Sequence, residues 1–262
     1  MSEIITSENL EQLIGLNRTI KDEVASMIDN LNVRYNTSGI TNKENLAFKI
    51  LKDNHLIQIP VEDEYWGGAV FAKDDFKIPI INTAQPRVYQ YFVAWHEVYH
   101  LVYDSNLPGE MHNITVDMKM NERKADYFAA SVLLGNVYEY YYTLEDEDFV
   151  NRIIRCMDLY KAPYKAVLIH LFEKAVTLYN DLQLKELILE HFDHKPDDMV
   201  KRFELLELDP ELVKPTNLVS LGGLDKLLMK NAKEYPETTY HESNYKFLMQ
   251  LKDRILKLAG RV

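Results

Sequence analysis

Two histidines and a glutamate form the pattern His96-Glu97-Val98-Tyr99-His100, which reads H-E-x-x-H. On a helix, side chains at positions i and i+4 project from one face, so both imidazoles can reach a single metal ion. The glutamate beside the first histidine can then reach a water at that ion without being a ligand. The pattern therefore predicts a metal site with Glu97 as general base, and hydrolysis as its chemistry.

The residues around this pattern strengthen the prediction. Residues 91–103 are otherwise mostly Phe, Val, Trp, Tyr and Leu, which is typical of a buried helix. Burying a carboxylate and two imidazoles without partners would cost on the order of several kcal/mol, and a bound ion with its water would remove that cost. The alternative is a pair of core histidines and a paired glutamate that other protein groups satisfy.

A catalytic site of this kind needs a third protein ligand and one open position. Glu122 and Asp126 share one stripe of the next predicted helix, and the rest of that stripe is apolar: Ala125, Ala129, Val132 and Leu133. Both carboxylates should therefore point inward. We expect Glu122 to be the third ligand and Asp126 to accept a hydrogen bond from the outer nitrogen of a ligating histidine.

Other assignments for the third ligand stay open at this point. Glu122 could pair with Arg123 or Lys124 near the surface, although sequence neighbours on a helix do not face each other. His112, in the loop between the two helices, and Asp104, one turn after His100, are rival ligands.

Three stretches together resemble the ImmA/IrrE family of metallopeptidases, with the gluzincin-type order H-E-x-x-H followed by N-E-x-x-x-D. They are Ile80-Ile81-Asn82, residues 94–102 and residues 122–134, and the resemblance is strong over about residues 77–134. It implies a zincin-like fold, a Zn²⁺ cofactor, and Asn121 and Asp126 beside the ligands. Two histidines and a carboxylate also suit other divalent ions such as Mn²⁺.

The resemblance further implies a site-specific endopeptidase that cleaves a helix-turn-helix transcriptional repressor. Residues 162–168 are weakly similar to the helix-turn-helix-like part of that family, whereas Gly135 and Asn136 depart from its usual sequence. A non-enzymatic regulator that binds a repressor or DNA, with a structural metal, is the alternative. A hydrolase of small amides is a third interpretation.

Hydrophobic periodicity predicts a mainly helical α+β protein with a small antiparallel sheet packed on the H-E-x-x-H helix. Strands are expected at 56–61, 67–72 and 77–82. Lys77–Asn82 is expected at the sheet edge, where Ile80, Ile81 and Asn82 would pair with an extended substrate. Helices are expected at 9–33, after Thr41, and at 86–103, 117–134, 147–159, 164–179, 182–191 and 236–258.

The domain prediction is a metallopeptidase domain at 1–140 and a helical region at 141–262. A helix-turn-helix-like segment is placed at about 147–180, and the remainder is unassigned. Residues 195–223, which contain Pro196, Pro210, Pro215 and two glycines, are expected to form a loop-rich joint.

Composition limits the location and the partners of the protein. The net charge of −11 disfavours direct nucleic-acid binding, despite four basic residues near the helix-turn-helix-like segment: Arg155, Lys161, Lys165 and Lys174. The single cysteine, Cys156, excludes an intrachain disulfide and favours a reducing compartment. The N-terminal residues do not resemble a signal peptide, and no apolar run is long enough for a membrane span, so we expect a cytoplasmic protein.

Several weaker signals complete the sequence analysis. Tyr103, His112 and Tyr127 are candidates for stabilising the oxyanion of the reaction. His191 and His194 could bind a second metal, but a polar helix end is the plainer interpretation. Four tyrosines, Tyr138, Tyr140, Tyr141 and Tyr142, form a cluster that suits packing or a partner peptide.

Overall fold

The computed structural model describes residues 4–35, 42–63, 65–73, 76–104 and 119–260, and it is an α+β structure that is mainly helical. The helices of the first half are α1 (Leu10–Tyr35), α2 (Lys43–Asp53), α3 (Arg87–Tyr103) and α4 (Met120–Leu134). Those of the second half are α5 (Val137–Tyr142), α6 (Phe149–Tyr160), α7 (Tyr164–Lys174), α8 (Leu182–His191), α9 (Met199–Leu205), α10 (Leu224–Glu234) and α11 (His241–Leu258).

The sheet has four strands, β1 (Ile57–Ile59), β2 (Gly68–Lys73), β3 (Phe76–Asn82) and β4 (Ser220–Leu221), in the order β2-β3-β1-β4. The prediction of an antiparallel sheet is wrong for one pair, because β1 and β3 run parallel, with Ile57 opposite Ile80. A parallel pair requires a crossover, and β2 supplies it by pairing antiparallel with β3 on the far side. The sheet is therefore mixed.

Helix α3 lies at the centre of the fold, as its apolar sequence predicts. Ala94, Trp95 and Val98 are fully buried, and α3 packs against α2, α4 and strands β2 and β3. Pro86 precedes the helix, which suits a proline because its missing N–H is not needed there. The two helices that carry the candidate ligands are thus direct neighbours in the core.

The second half of the chain packs against the first. Strand β4 pairs with β1, α7 packs on α4, and one hydrophobic core contains residues from both sides of residue 140. The division at 140 stays a prediction. Helix α7 buries most of its side chains, including Val167, Leu168 and Phe172, so its apolar surface is used in packing. Within the predicted joint at 195–223 the structure has α9, a short 3₁₀ turn (Pro210–Val213) and β4.

The helix limits agree with the periodicity to within a few residues for most segments. Differences are α5, α9 and α10, which were not predicted, and the predicted helix at 164–179, whose last turn, Ala175–Tyr179, is a π-helix. Thr41, after which a helix was expected, lies outside the described residues. Among the helices that are described, none combines the length and the apolar character that a membrane crossing requires.

Candidate metal centre

The two histidines of α3 face each other inside the protein. His96 is 5% exposed and His100 is fully buried, and their Nε2 atoms lie 3.1 Å apart. They stand one helical turn apart on the face of α3 that packs against α4. The H-E-x-x-H pattern thus places two electron-pair donors side by side.

Glu122, in the first turn of α4, completes a group of three. Its Oε2 atom lies 3.2 Å from Nε2 of His96 and 3.6 Å from Nε2 of His100. In a tetrahedral zinc site with bonds of about 2.0–2.1 Å, neighbouring ligand atoms are ~3.3 Å apart. The three atoms therefore already have the spacing that one ion requires, and the three residues form a buried cluster that could bind a metal.

Each histidine is oriented by a carboxylate behind it. Nδ1 of His96 lies 2.9 Å from Oδ1 of Asp126, and Nδ1 of His100 lies 3.2 Å from Oδ2 of Asp104. Because an ionised carboxylate only accepts hydrogen bonds, each Nδ1 donates to the carboxylate behind it, and Nε2 of each ring is directed at the centre of the cluster. Asp104, a rival ligand by sequence, thus lies behind His100 and not among the three facing atoms.

Asn121 in turn holds one of these two carboxylates. Its Nδ2 donates to Oδ2 of Asp104 at 2.6 Å, and its Oδ1 accepts from the hydroxyl of Tyr99 at 3.1 Å. Tyr99 belongs to α3, so this chain of hydrogen bonds ties the start of α4 to the helix of the two histidines. Such a link restricts how far Glu122 can move from the imidazoles.

The electrostatics favour a positive charge at the centre of the cluster. Burial alone would lower the pKa of His96, but hydrogen bonds to Asp126 and Glu122 raise it well above its usual value. Burial alone would raise the pKa of Asp126, but the Arg123 guanidinium and His96 lower it. A proton or a metal ion at Nε2 of His96 is therefore stabilised by the surrounding carboxylates.

Glu97 is almost completely buried, at 1% exposure, and β2 approaches it closely. A Cβ atom on Gly68 would lie 2.9 Å from Oε1 of Glu97, 2.8 Å from Cγ1 of Val93 and 2.7 Å from the carbonyl oxygen of Ile80. Only glycine fits at such distances. Gly68, which the sequence analysis did not single out, therefore allows β2 to lie directly beside the candidate general base.

The expectation that β3 is an edge strand is wrong, because β2 and β1 occupy its two sides. Ile80 and Ile81 are consequently paired to both neighbours and are not free to pair with a substrate. Asn82 is fully buried, and its side chain accepts from the amide of Val61 and donates to the carbonyl of Trp66. Asn82 thus holds the loops at the ends of the strands.

Other residues from the sequence analysis have partners elsewhere. The Tyr103 hydroxyl donates to the carbonyl of Met27, and the Tyr127 hydroxyl donates to Glu173. His112 lies outside the described residues. Burial raises the pKa of the Cys156 thiol to about 12, so a reactive thiolate is disfavoured near neutral pH.

His191 and the tyrosine cluster have partners inside the protein, whereas the His194 side chain is exposed. Nδ1 of His191 lies 3.0 Å from the carbonyl of Leu187, and within the described ranges the group of His96, His100 and Glu122 is the one set of three residues that could hold a metal ion. Tyr138 and Tyr142 both donate to Asp181, which caps the start of α8. The cluster therefore joins α5 to α8.

Comparisons of the chain with protein-family models, with curated proteins and with solved structures found no match.

Proposed function

We propose that the chain is a metal-dependent peptidase in which His96, His100 and Glu122 hold zinc and Glu97 is the general base. The observation that supports this most directly is the meeting of three ligand atoms within 3.6 Å of one another, with a carboxylate behind each imidazole. Without a cation, the two lone pairs and the carboxylate would repel one another in a buried site. Mn²⁺ suits the same ligands.

The proposed chemistry rests on Glu97, the sequence neighbour of His96, whose charge raises the pKa of that histidine. A divalent ion held by this set would polarise the scissile carbonyl and make water easier to deprotonate. Glu97 then accepts the proton of the attacking water and passes it to the leaving amine nitrogen. The burial of Glu97 and both histidines keeps bulk water away and so strengthens these interactions.

The substrate would bind along β2. Among the described strands, β2 has a neighbour on one side only, and we propose that an extended peptide pairs with its outer edge. A strand added there would run past Gly68 and therefore beside Glu97. A helix-turn-helix repressor is our proposed substrate class, which rests on the family resemblance of residues 77–134.

The test compares Glu97→Gln with Glu186→Gln, a matched change at an exposed position of α8. We expect Glu97→Gln to keep its fold and its zinc but to lose at least 100-fold in cleavage rate. Glu186→Gln should cleave as the wild type does. The substrates are helix-turn-helix repressors from the same cell and a digest of cell proteins, with products read by mass spectrometry. Equal cleavage by Glu97→Gln and wild type would refute the proposal and favour a structural metal site.

A further inference from the structure

A cavity of about 240 Å³ lies beside the candidate metal centre. Helices α3, α4 and α7, the N-terminal segment and three loops form its wall. Most of its lining side chains are apolar or aromatic, among them Ile5, Phe92, Val93, Ala166 and Ile169. An apolar cavity of this size holds one large side chain rather than a whole metabolite.

The cavity shares wall residues with the catalytic cluster. Asp126 lines it, and the same carboxylate holds Nδ1 of His96 at 2.9 Å. Val93 also lines it and lies one helical turn before His96 and Glu97 on α3. A substrate side chain that enters the cavity would therefore come from a substrate residue bound close to the cluster, within the length of one turn of α3.

The charges in the wall make the cavity selective. Arg123 is 3% exposed and donates from Nη1 to Asp126 at 3.3 Å, while its Nε has no hydrogen-bond partner among the described residues. Lys165 is a second cation in the wall. These two cations outnumber Asp126, the carboxylate of the wall, so a lysine or arginine side chain would meet a net like charge in an apolar setting, whereas an aromatic ring can pack against a guanidinium.

We infer that this cavity receives a large apolar side chain, aromatic or leucine-like, from the substrate residue next to the scissile bond. The inference rests on the proposed peptidase function and adds its side-chain specificity. Large apolar residues would be preferred, small residues would leave the cavity partly empty, and basic residues would be rejected. This order of preference follows from the side chains that line the cavity and not from the chemistry at the metal.

The test fills the cavity from a residue that touches neither the ligands nor Glu97. Ala166→Phe projects a ring into the cavity from α7, and Ala25→Phe, at an exposed position of α1, is the matched control. The probe is a digest of cell proteins, with cleavage sites read by mass spectrometry and kcat/KM then measured on synthetic peptides that differ at one flanking residue.

We expect wild type and Ala25→Phe to cut next to Phe, Leu, Tyr or Met, and to cut the lysine peptide at least tenfold more slowly. Ala166→Phe should lose at least tenfold in kcat/KM on the large apolar peptides relative to the alanine peptide. If Ala166→Phe fails to fold, Ile169→Ala serves instead and should raise the relative rate on a tryptophan peptide.

Two failures can be told apart. Cleavage that disappears in Glu97→Gln but has the same flanking preference in wild type and Ala166→Phe would overturn the role of the cavity alone. So would a preference for basic or acidic flanking residues. No cleavage that depends on Glu97 in any arm would overturn the peptidase proposal, and the assignment of the cavity would fall with it.

Discussion

Asp126 and Asp104 each hold the outer nitrogen of one histidine, and this pairing distinguishes the cluster from an accidental meeting of polar groups. Two core histidines could have used carbonyl oxygens or each other. Here both inner nitrogens face Glu122 as well as each other, an arrangement that suits a cation held between them.

Removing one supporting carboxylate should weaken metal binding without abolishing it. We expect Asp126→Ala to raise the Kd for zinc about 10- to 100-fold, because His96 loses the partner that fixes its tautomer and orientation. Competition with a chromogenic chelator measures this Kd. Asp29→Ala, at an exposed position of α1, is the control, and a Kd for Asp126→Ala equal to that of the control would contradict the supporting role.

At the scale of single residues, the sequence is informative where the spacing along one helix determines which side chains share a face. The pair His96 and His100 follows from i and i+4, and the inward direction of Glu122 and Asp126 follows from an apolar stripe. The role of Asp104 was ambiguous from sequence, because a carboxylate one turn after His100 can reach either ring nitrogen. The choice depends on where α4 brings Glu122, and local spacing does not contain that information.

At the scale of elements, α3, α4 and β2 matter most. The packing of α4 on α3 brings Glu122 to the two histidines, and β2 lies beside Glu97. β2 can lie against α3 only because Gly68 has no side chain. The periodicity of residues 67–72 predicted a strand there, but the neighbours of that strand come from distant parts of the chain. The strand order and the parallel β1–β3 pair were missed for the same reason.

Gly68→Ala should therefore be costly. The added Cβ would meet backbone and buried side-chain atoms at 2.7–2.9 Å, so we expect a loss of about 1–3 kcal/mol in the free energy of unfolding, together with reduced cleavage as β2 moves from Glu97. Urea titration measures the first effect.

Gly15→Ala is the matched control, since a Cβ there meets nothing within 4 Å and helix α1 should gain about 0.5–1 kcal/mol. If the two substitutions changed stability by the same amount and in the same direction, the close approach of β2 would be refuted.

Across the whole molecule, α7 from the second half closes over α4 and carries a buried histidine. Burial lowers the pKa of His170 to about 3, from an ordinary value of 6.5. The unfolded chain therefore binds a proton on this residue between these two values, whereas the folded chain does not. The contribution of neutral His170 to stability is complete above pH 6.5 and is lost as the pH falls toward 3.

The direction of this pH dependence can be measured by comparing the wild type with His170→Leu, which has no titrating ring. Between pH 7 and pH 5, the wild type should lose about 2 kcal/mol more of its unfolding free energy than the variant, since each unit of the window is worth about 1.4 kcal/mol. Urea titrations at the two pH values give the difference. Parallel losses in both proteins would show that His170 is not buried in a neutral form.

Whole-molecule architecture was the least predictable from sequence. The predicted limit at residue 140 followed the motifs and stays a prediction. Residues on both sides of it contribute to one core, and β4 adds to the sheet of the first half. β4 has two residues and no alternation that a pattern could detect. Its partner, β1, lies far away in sequence, so its pairing depends on the folded chain.

The most direct test of the account is the zinc content of the purified protein, measured by elemental analysis after zinc loading and dialysis against metal-free buffer. We expect one ion per chain in the wild type, and loss of that ion in both His100→Gln and Glu122→Gln, which keep the size of the side chains. A wild type that holds no zinc, or variants that hold as much as the wild type, would contradict the claim that α3 and α4 together bind one metal ion.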